Sequence, residues 1–150
     1  MAIAPTIIAT TRALFPPAMI RSLLLLTLLL VAPASAAWRL AGNNGLWFLL
    51  GWYVAASGLT YFLYAGDKRR ADRGAWRVSE TTLHFFELAG GWPGAFLAQQ
   101  WLRHKCAKPG FQIVFWLIVG LHQFAAVDYL RGWRFTGAAV EAAGGSAKPR

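Results

Sequence analysis

Residues 40–66 run for 27 positions without a charge, between Arg39 and Asp67. A hydrocarbon core about 30 Å thick takes roughly 20 helical residues to cross, so this one stretch already exceeds a membrane span. Its densest part, 46–64, reads LWFLLGWYVAASGLTYFLY. A buried helix of a water-soluble domain is the competing fate, and 27 uncharged residues argue against it. Trp47 near one end and Tyr61 and Tyr64 near the other fit interfacial aromatic belts. Gly51 and Gly58, with Ala55 and Ala56, offer small surfaces for close helix contact.

Three further stretches compete for the same role. Residues 22–38 lie uncharged between Arg21 and Arg39. Their apolar part is followed by Pro33 and by Ala34-Ser35-Ala36, which resembles a signal-peptidase site, so this is a first transmembrane helix or a signal-like segment. Residues 109–127 carry no charge with His122 neutral, and 81–102 carry only Glu87. That third segment is interrupted by Gly90, Gly91, Pro93 and Gly94, and broken backbone at membrane depth must be covered by protein or face a wet cavity. If it crosses, 11 Lys and Arg lie on one side and 4 on the other; if it re-enters, the division is 10 to 5. The positive-inside rule scarcely separates these. Its length matches one kinked span better than two half-helices. The expected fold is therefore all-α: an integral membrane bundle of about four transmembrane helices with a Gly/Pro-broken third segment. The expected parts are a flexible 1–21, the segment 22–38, a membrane domain 46–130 and a flexible tail 131–150.

Charge points to the partner class. Fifteen Lys and Arg oppose six Asp and Glu, a formal +9, which suits a negative neighbour. The stretch 66–80, GDKRRADRGAWRVSE, holds Lys68, Arg69, Arg70, Arg73 and Arg77 with Asp67 and Glu80. Such a loop is an orientation signal on the cytoplasmic side, and each cation near an anionic bilayer adds about 1 kcal/mol of attraction. Arg103, His104, Lys105 and Lys108 form a second cluster that can anchor a helix end or clamp an oxyanion. The first loop argues against nucleic acid as its ligand, since Trp76 alone offers a stacking ring there.

Inside the third segment Ser79 can cap a helix. Glu80, His84 and Glu87 then share one face at i, i+4 and i+7. Three such groups can shuttle a proton or hold a metal with a fourth ligand, for which His104 and His122 are the candidates. The spacing lacks the specificity of HExxH, so no metal and no cofactor is assigned. An intramembrane acid such as Glu87 defaults to a functional role with a named partner, and His84 is the nearest. Arg77, Glu80 and His104 form one polar site only if the third segment folds back. A straight helix would separate Glu80 from His104 by about 36 Å. Single Cys106 permits no internal disulfide, and no Walker A, GxGxxG, CxxC, GxSxG or HExxH motif occurs.

The ordered set Asp67-Lys68, Trp76-Arg77-Val78-Ser79-Glu80, Leu83-His84, Gly90-Gly91-Trp92-Pro93-Gly94, Arg103-His104-Lys105, Lys108 and Phe111 resembles the domain-of-unknown-function 1294 family of small bacterial membrane proteins. The resemblance covers about residues 46–130. Ser79 stands where proline is common, and Cys106 where threonine is common, which makes an essential thiol less expected. Some members of that family carry an N-terminal cold-shock domain. Residues 1–20 offer no RNP-like aromatic strand, so nucleic-acid binding is not carried over. The resemblance implies a multi-pass protein of the bacterial inner membrane with no established activity. The expected role is a non-catalytic module that binds anionic lipid headgroups or a protein partner through its basic loops. The alternatives are a membrane enzyme or a proton or metal site built on Glu80, His84, Glu87 and His104, and a nucleic-acid-associated membrane protein.

Overall fold

The computed structural model describes residues 17–44, 47–103 and 108–144. These residues form helices and no strand: α1 (Pro17–Asn44), α2 (Phe48–Asp72), α3 (Glu80–Phe86), a π-helical turn (Glu87–Gly91), α4 (Trp92–Leu102), α5 (Pro109–Leu130) and α6 (Arg134–Gly144). Helices α1, α2 and α5 are each long and apolar enough to cross a membrane. Their outward faces are those of a chain solvated by lipid. Leu28, Val54 and Leu117 are 70%, 75% and 68% exposed, a surface that a monomer in water would bury.

The third segment does not run on as one kinked helix: where a fourth span was expected the structure has a helical hairpin, beside three helices of spanning length. Helix α3 starts beside the lower end of α2, where Val78 donates its backbone N–H to the Asp67 carboxylate at 2.9 Å. The chain climbs along α2 until Trp52 Nε1 donates to the Ala89 carbonyl at 3.0 Å. It then reverses, and α4 descends until Lys68 donates to the Leu102 carbonyl at 2.5 Å. Both ends of the segment therefore lie at the same end of α2. Tyr53, which meets Gly90 at the tip, stands 15 residues above Lys68, so the hairpin reaches a depth of about 22 Å at 1.5 Å per residue. The reversal is made by Gly90, whose φ of 104° lies where only glycine sits without strain. Pro93 follows in the first turn of α4, where its missing N–H costs no hydrogen bond.

Close approach to α2 holds the hairpin in place. A Cβ on Gly91 would overlap the Thr60 hydroxyl and the Ala56 carbonyl, and one on Gly94 would overlap the Ser57 carbonyl. The glycines do pack on α2, as small residues in membrane helices do. They meet its Ala56, Ser57 and Thr60 rather than Gly51 and Gly58, at which an added Cβ would touch nothing within 4 Å. The core beneath is aromatic, with Tyr64, Trp92, Phe96, Phe111 and Phe115 all buried.

Three smaller expectations also change. Helix α2 continues through the first half of the basic stretch 66–80, because buried Asp67 anchors it to the α3 entry. It ends at Arg73 in a Schellman cap: Gly74 at φ 64° donates to the Ala71 carbonyl, and Ala75 to that of Arg70. Tyr64 is fully buried and belongs to no interfacial belt. Within the expected flexible tail 131–150, residues 134–144 are helical. Asp128 accepts from the N–H groups of Phe135 and Thr136 and from the Thr136 hydroxyl, starting α6.

Candidate functional site

Two layers of polar groups lie at the end of the bundle where the hairpin opens. The inner layer is buried among α2, α4, α5 and the π-helical turn. Glu87 is fully buried and accepts from the Tyr64 hydroxyl through Oε1, while Oε2 meets His84 Nδ1 at 2.7 Å. Gln99 Nε2 donates to Tyr64 Oη at 3.3 Å, and Gln112 Nε2 donates to Gln99 Oε1 at 2.7 Å. The His84 ring stacks on Phe111 with centroids 4.2 Å apart. The π-helical turn starts at Glu87, and α4 returns Gln99 to the same level, so the re-entrant path itself assembles the cluster. Among the described residues every buried side-chain nitrogen and oxygen has a hydrogen-bond partner. Such a complete network in a low-dielectric setting fixes one arrangement of the elements that contribute to it.

The outer layer is basic. Asp67 is buried and takes Arg77 at 3.5 Å, and Lys108 holds the Glu80 carboxylate at 2.8 Å across 28 residues. Lys68 satisfies one of the carbonyls that the end of α4 leaves open. These cations are fastened to the protein. Arg69, Arg70, Arg73 and Arg103 are exposed at the same end and have no acidic partner among the described residues. Trp76, between Arg73 and Arg77, is 93% exposed.

Of the residues singled out by sequence, the structure therefore joins His84 with Glu87, and it brings Lys68, Arg69, Arg70, Arg73, Arg77, Arg103 and Lys108 to one end of the bundle. Arg77 meets Asp67, and Glu80 meets Lys108. His104 and Lys105 lie outside the described residues, and so does the proposed Glu80–His104 contact. His122 meets its own helix at the Ile118 carbonyl, 2.9 Å away, and packs against the Tyr53 and Trp92 rings. Among the described residues no three His, Cys, Asp or Glu side chains converge as a metal set.

Sequence reasoning missed Tyr64 and Gln99 as members of the inner cluster. Tyr64 carries a legible signal in retrospect: it lies one turn before Asp67 on α2, where a buried acid asks for donors nearby. Gln99 has none, since its place depends on where the hairpin turns.

Residues 57–111 match the protein family described as "Protein of unknown function (DUF1294)", and over this stretch the family resemblance is shown. The stretch is narrower than the expected 46–130. It takes in most of α2, the whole hairpin and the first residues of α5 as far as Phe111, and every member of both polar layers except Gln112. No curated protein and no solved structure matches the chain.

Proposed function

We propose that this DUF1294-like multi-pass protein sits in the bacterial inner membrane and binds anionic lipid headgroups, without catalysis, at the basic end of its bundle. One observation carries this reading: the re-entrant hairpin returns the chain to its starting level. Residues 68–77 thereby share one end of the bundle with Arg103 and Lys108, some thirty residues further along the chain. Exposed Arg69, Arg70, Arg73 and Arg103 supply bidentate donors suited to phosphate, each adding about 1 kcal/mol near an anionic surface. Exposed Trp76 suits the interfacial layer beside them. The inner cluster, complete in its hydrogen bonds, holds the hairpin that sets this face.

Native mass spectrometry from nanodiscs of mixed phosphatidylglycerol and phosphatidylcholine tests the reading. Phosphatidylglycerol should be enriched among the retained lipids, and an Arg69→Gln/Arg70→Gln/Arg73→Gln variant should lose most of that enrichment. Equal retention of both lipids by the wild type would end it, and a co-purifying acidic protein in their place would shift the partner from lipid to protein. Orientation has its own check. A cysteine at exposed Ala75, in a Cys106→Ser background, should resist an impermeant thiol reagent in intact cells and react after permeabilisation.

A second reading rests on a separate observation. The His84 side chain is 16% exposed while that of its partner Glu87 is fully buried, so the imidazole bridges the buried acid to the aqueous edge. That is the geometry of a proton relay. Proton flux into dye-loaded proteoliposomes, abolished by Glu87→Gln, would carry it; absence of flux leaves the cluster a structural stitch.

A further inference from the structure

Helices α1, α2 and α4 do not close on one another along their whole length. Between them runs a groove of about 650 Å³ lined by Leu26, Ala34, Val54, Gly58, Leu97 and Trp101 among others. In hydrocarbon such a groove does not stay empty, since its walls lose dispersion contacts to any gap. From Leu26 to Ala37, both on its α1 wall, it runs 11 residues, or about 16 Å of helix rise. That is half of a core about 30 Å thick, the depth of one leaflet. At the basic end the groove meets a second hollow of about 570 Å³, which shares Trp101 with it and is lined by Ser22, Gln100 and Arg103. One end is thus apolar over the length of an acyl chain, and the other presents polar groups and an exposed guanidinium without an acidic partner among the described residues. The Trp101 ring lies where the two meet, the place indoles occupy at a membrane interface.

We infer that this groove is a binding site for a single anionic phospholipid, with one acyl chain between α1, α2 and α4 and its phosphate at Arg103. The inference rests on the reading that the basic end faces anionic lipid, and adds one defined site to a diffuse attraction. An amphiphile with an acidic head matches both ends of the groove at once. A helix from a second copy of the chain would match only the apolar part.

The test uses the full-length protein in nanodiscs of phosphatidylglycerol and phosphatidylcholine, with stepwise delipidation followed by native mass spectrometry. One phosphatidylglycerol per chain should outlast the rest. Gly58→Leu fills the groove from α2, where an added Cβ meets nothing within 4 Å. Ala34→Leu fills it from α1. Each should lower occupancy by that last lipid at least tenfold with the melting temperature kept, and Arg103→Gln should do so for phosphatidylglycerol but not for phosphatidylcholine. The Arg69→Gln/Arg70→Gln/Arg73→Gln variant should lose the loosely held anionic lipids and keep this one. Wild-type occupancy in both groove-filling variants would overturn the site while leaving the basic-face reading intact. A wild-type dimer that Gly58→Leu dissociates would overturn it in favour of a second copy.

Discussion

The two neighbours of α2 meet it in opposite ways. The hairpin lies so close that a methyl on Gly91 or Gly94 would overlap α2 backbone or the Thr60 hydroxyl, and Glu87 reaches across to Tyr64. Helix α1 meets α2 over less of its length and leaves the 650 Å³ groove between them. It is held to α5 instead, where Gln123 donates to the Leu29 carbonyl at 2.7 Å and Arg39 to the Leu130 carbonyl at 3.2 Å. Both walls of α2 carry small residues, yet Gly51 and Gly58 have open space where the Ala56–Thr60 side has a neighbour's backbone. A small residue in a membrane helix permits close packing; it does not cause it. The polar stitch decides which face is used.

The strongest way to break this comparison is to thicken both walls. Gly94→Val drives a side chain into the Ser57 backbone, which cannot yield, and should cost about 3 kcal/mol or more, the top of the range for overpacking. Gly58→Val, on the groove wall, should stay within about 0.5 kcal/mol, as a substitution away from packed features does. Thermal unfolding in detergent, followed by tryptophan fluorescence, separates them. Equal melting temperatures would mean that the hairpin does not rest on α2.

A smaller effect tests the stitch itself. Glu87→Ala leaves the Tyr64 hydroxyl and His84 without their shared acceptor, and each buried group so abandoned costs about 1–3 kcal/mol. Glu87→Gln keeps an acceptor and should recover about half. Hydrogen exchange should show the loss in the hairpin amides while the α1–α5 pair stays protected. Uniform loss throughout would show one cooperative bundle rather than two unlike interfaces. Least of all should Lys108→Gln matter. Its ion pair with Glu80 is partly exposed on both sides, and such pairs contribute roughly 0–1 kcal/mol. A loss above that range would place Lys108 in the stitch.

Much of this was legible in residues. Absence of charge over 40–66 specifies a membrane helix because an unpaired charge in hydrocarbon is costly wherever it lies along the span. Ser79 as the cap of α3 was legible for a local reason, and the Thr82 N–H meets its hydroxyl at 3.1 Å. The pairing of Glu87 with His84 followed from helical spacing. The roles of Asp67 and Asp128 were not legible because each serves a group further along the chain, the Val78 N–H and the start of α6, and nothing local marks that service.

What the sequence by itself determined is the set of apolar helices, the basic excess and the weak point at Gly90–Gly94. Those depend on local composition, on solvation of side chains by lipid, and on the φ that only glycine tolerates. Whether that weak point kinks a span or reverses it was decided by tertiary structure alone. The two outcomes divide the positive charges in nearly the same way, 11 to 4 against 10 to 5. They differ only in contacts between segments far apart in sequence: Lys68 with Leu102, Tyr64 with Glu87 and Gln99, Lys108 with Glu80. A buried polar group must find its partner within about 3 Å, so these contacts hold for one path of the chain and fail for the other.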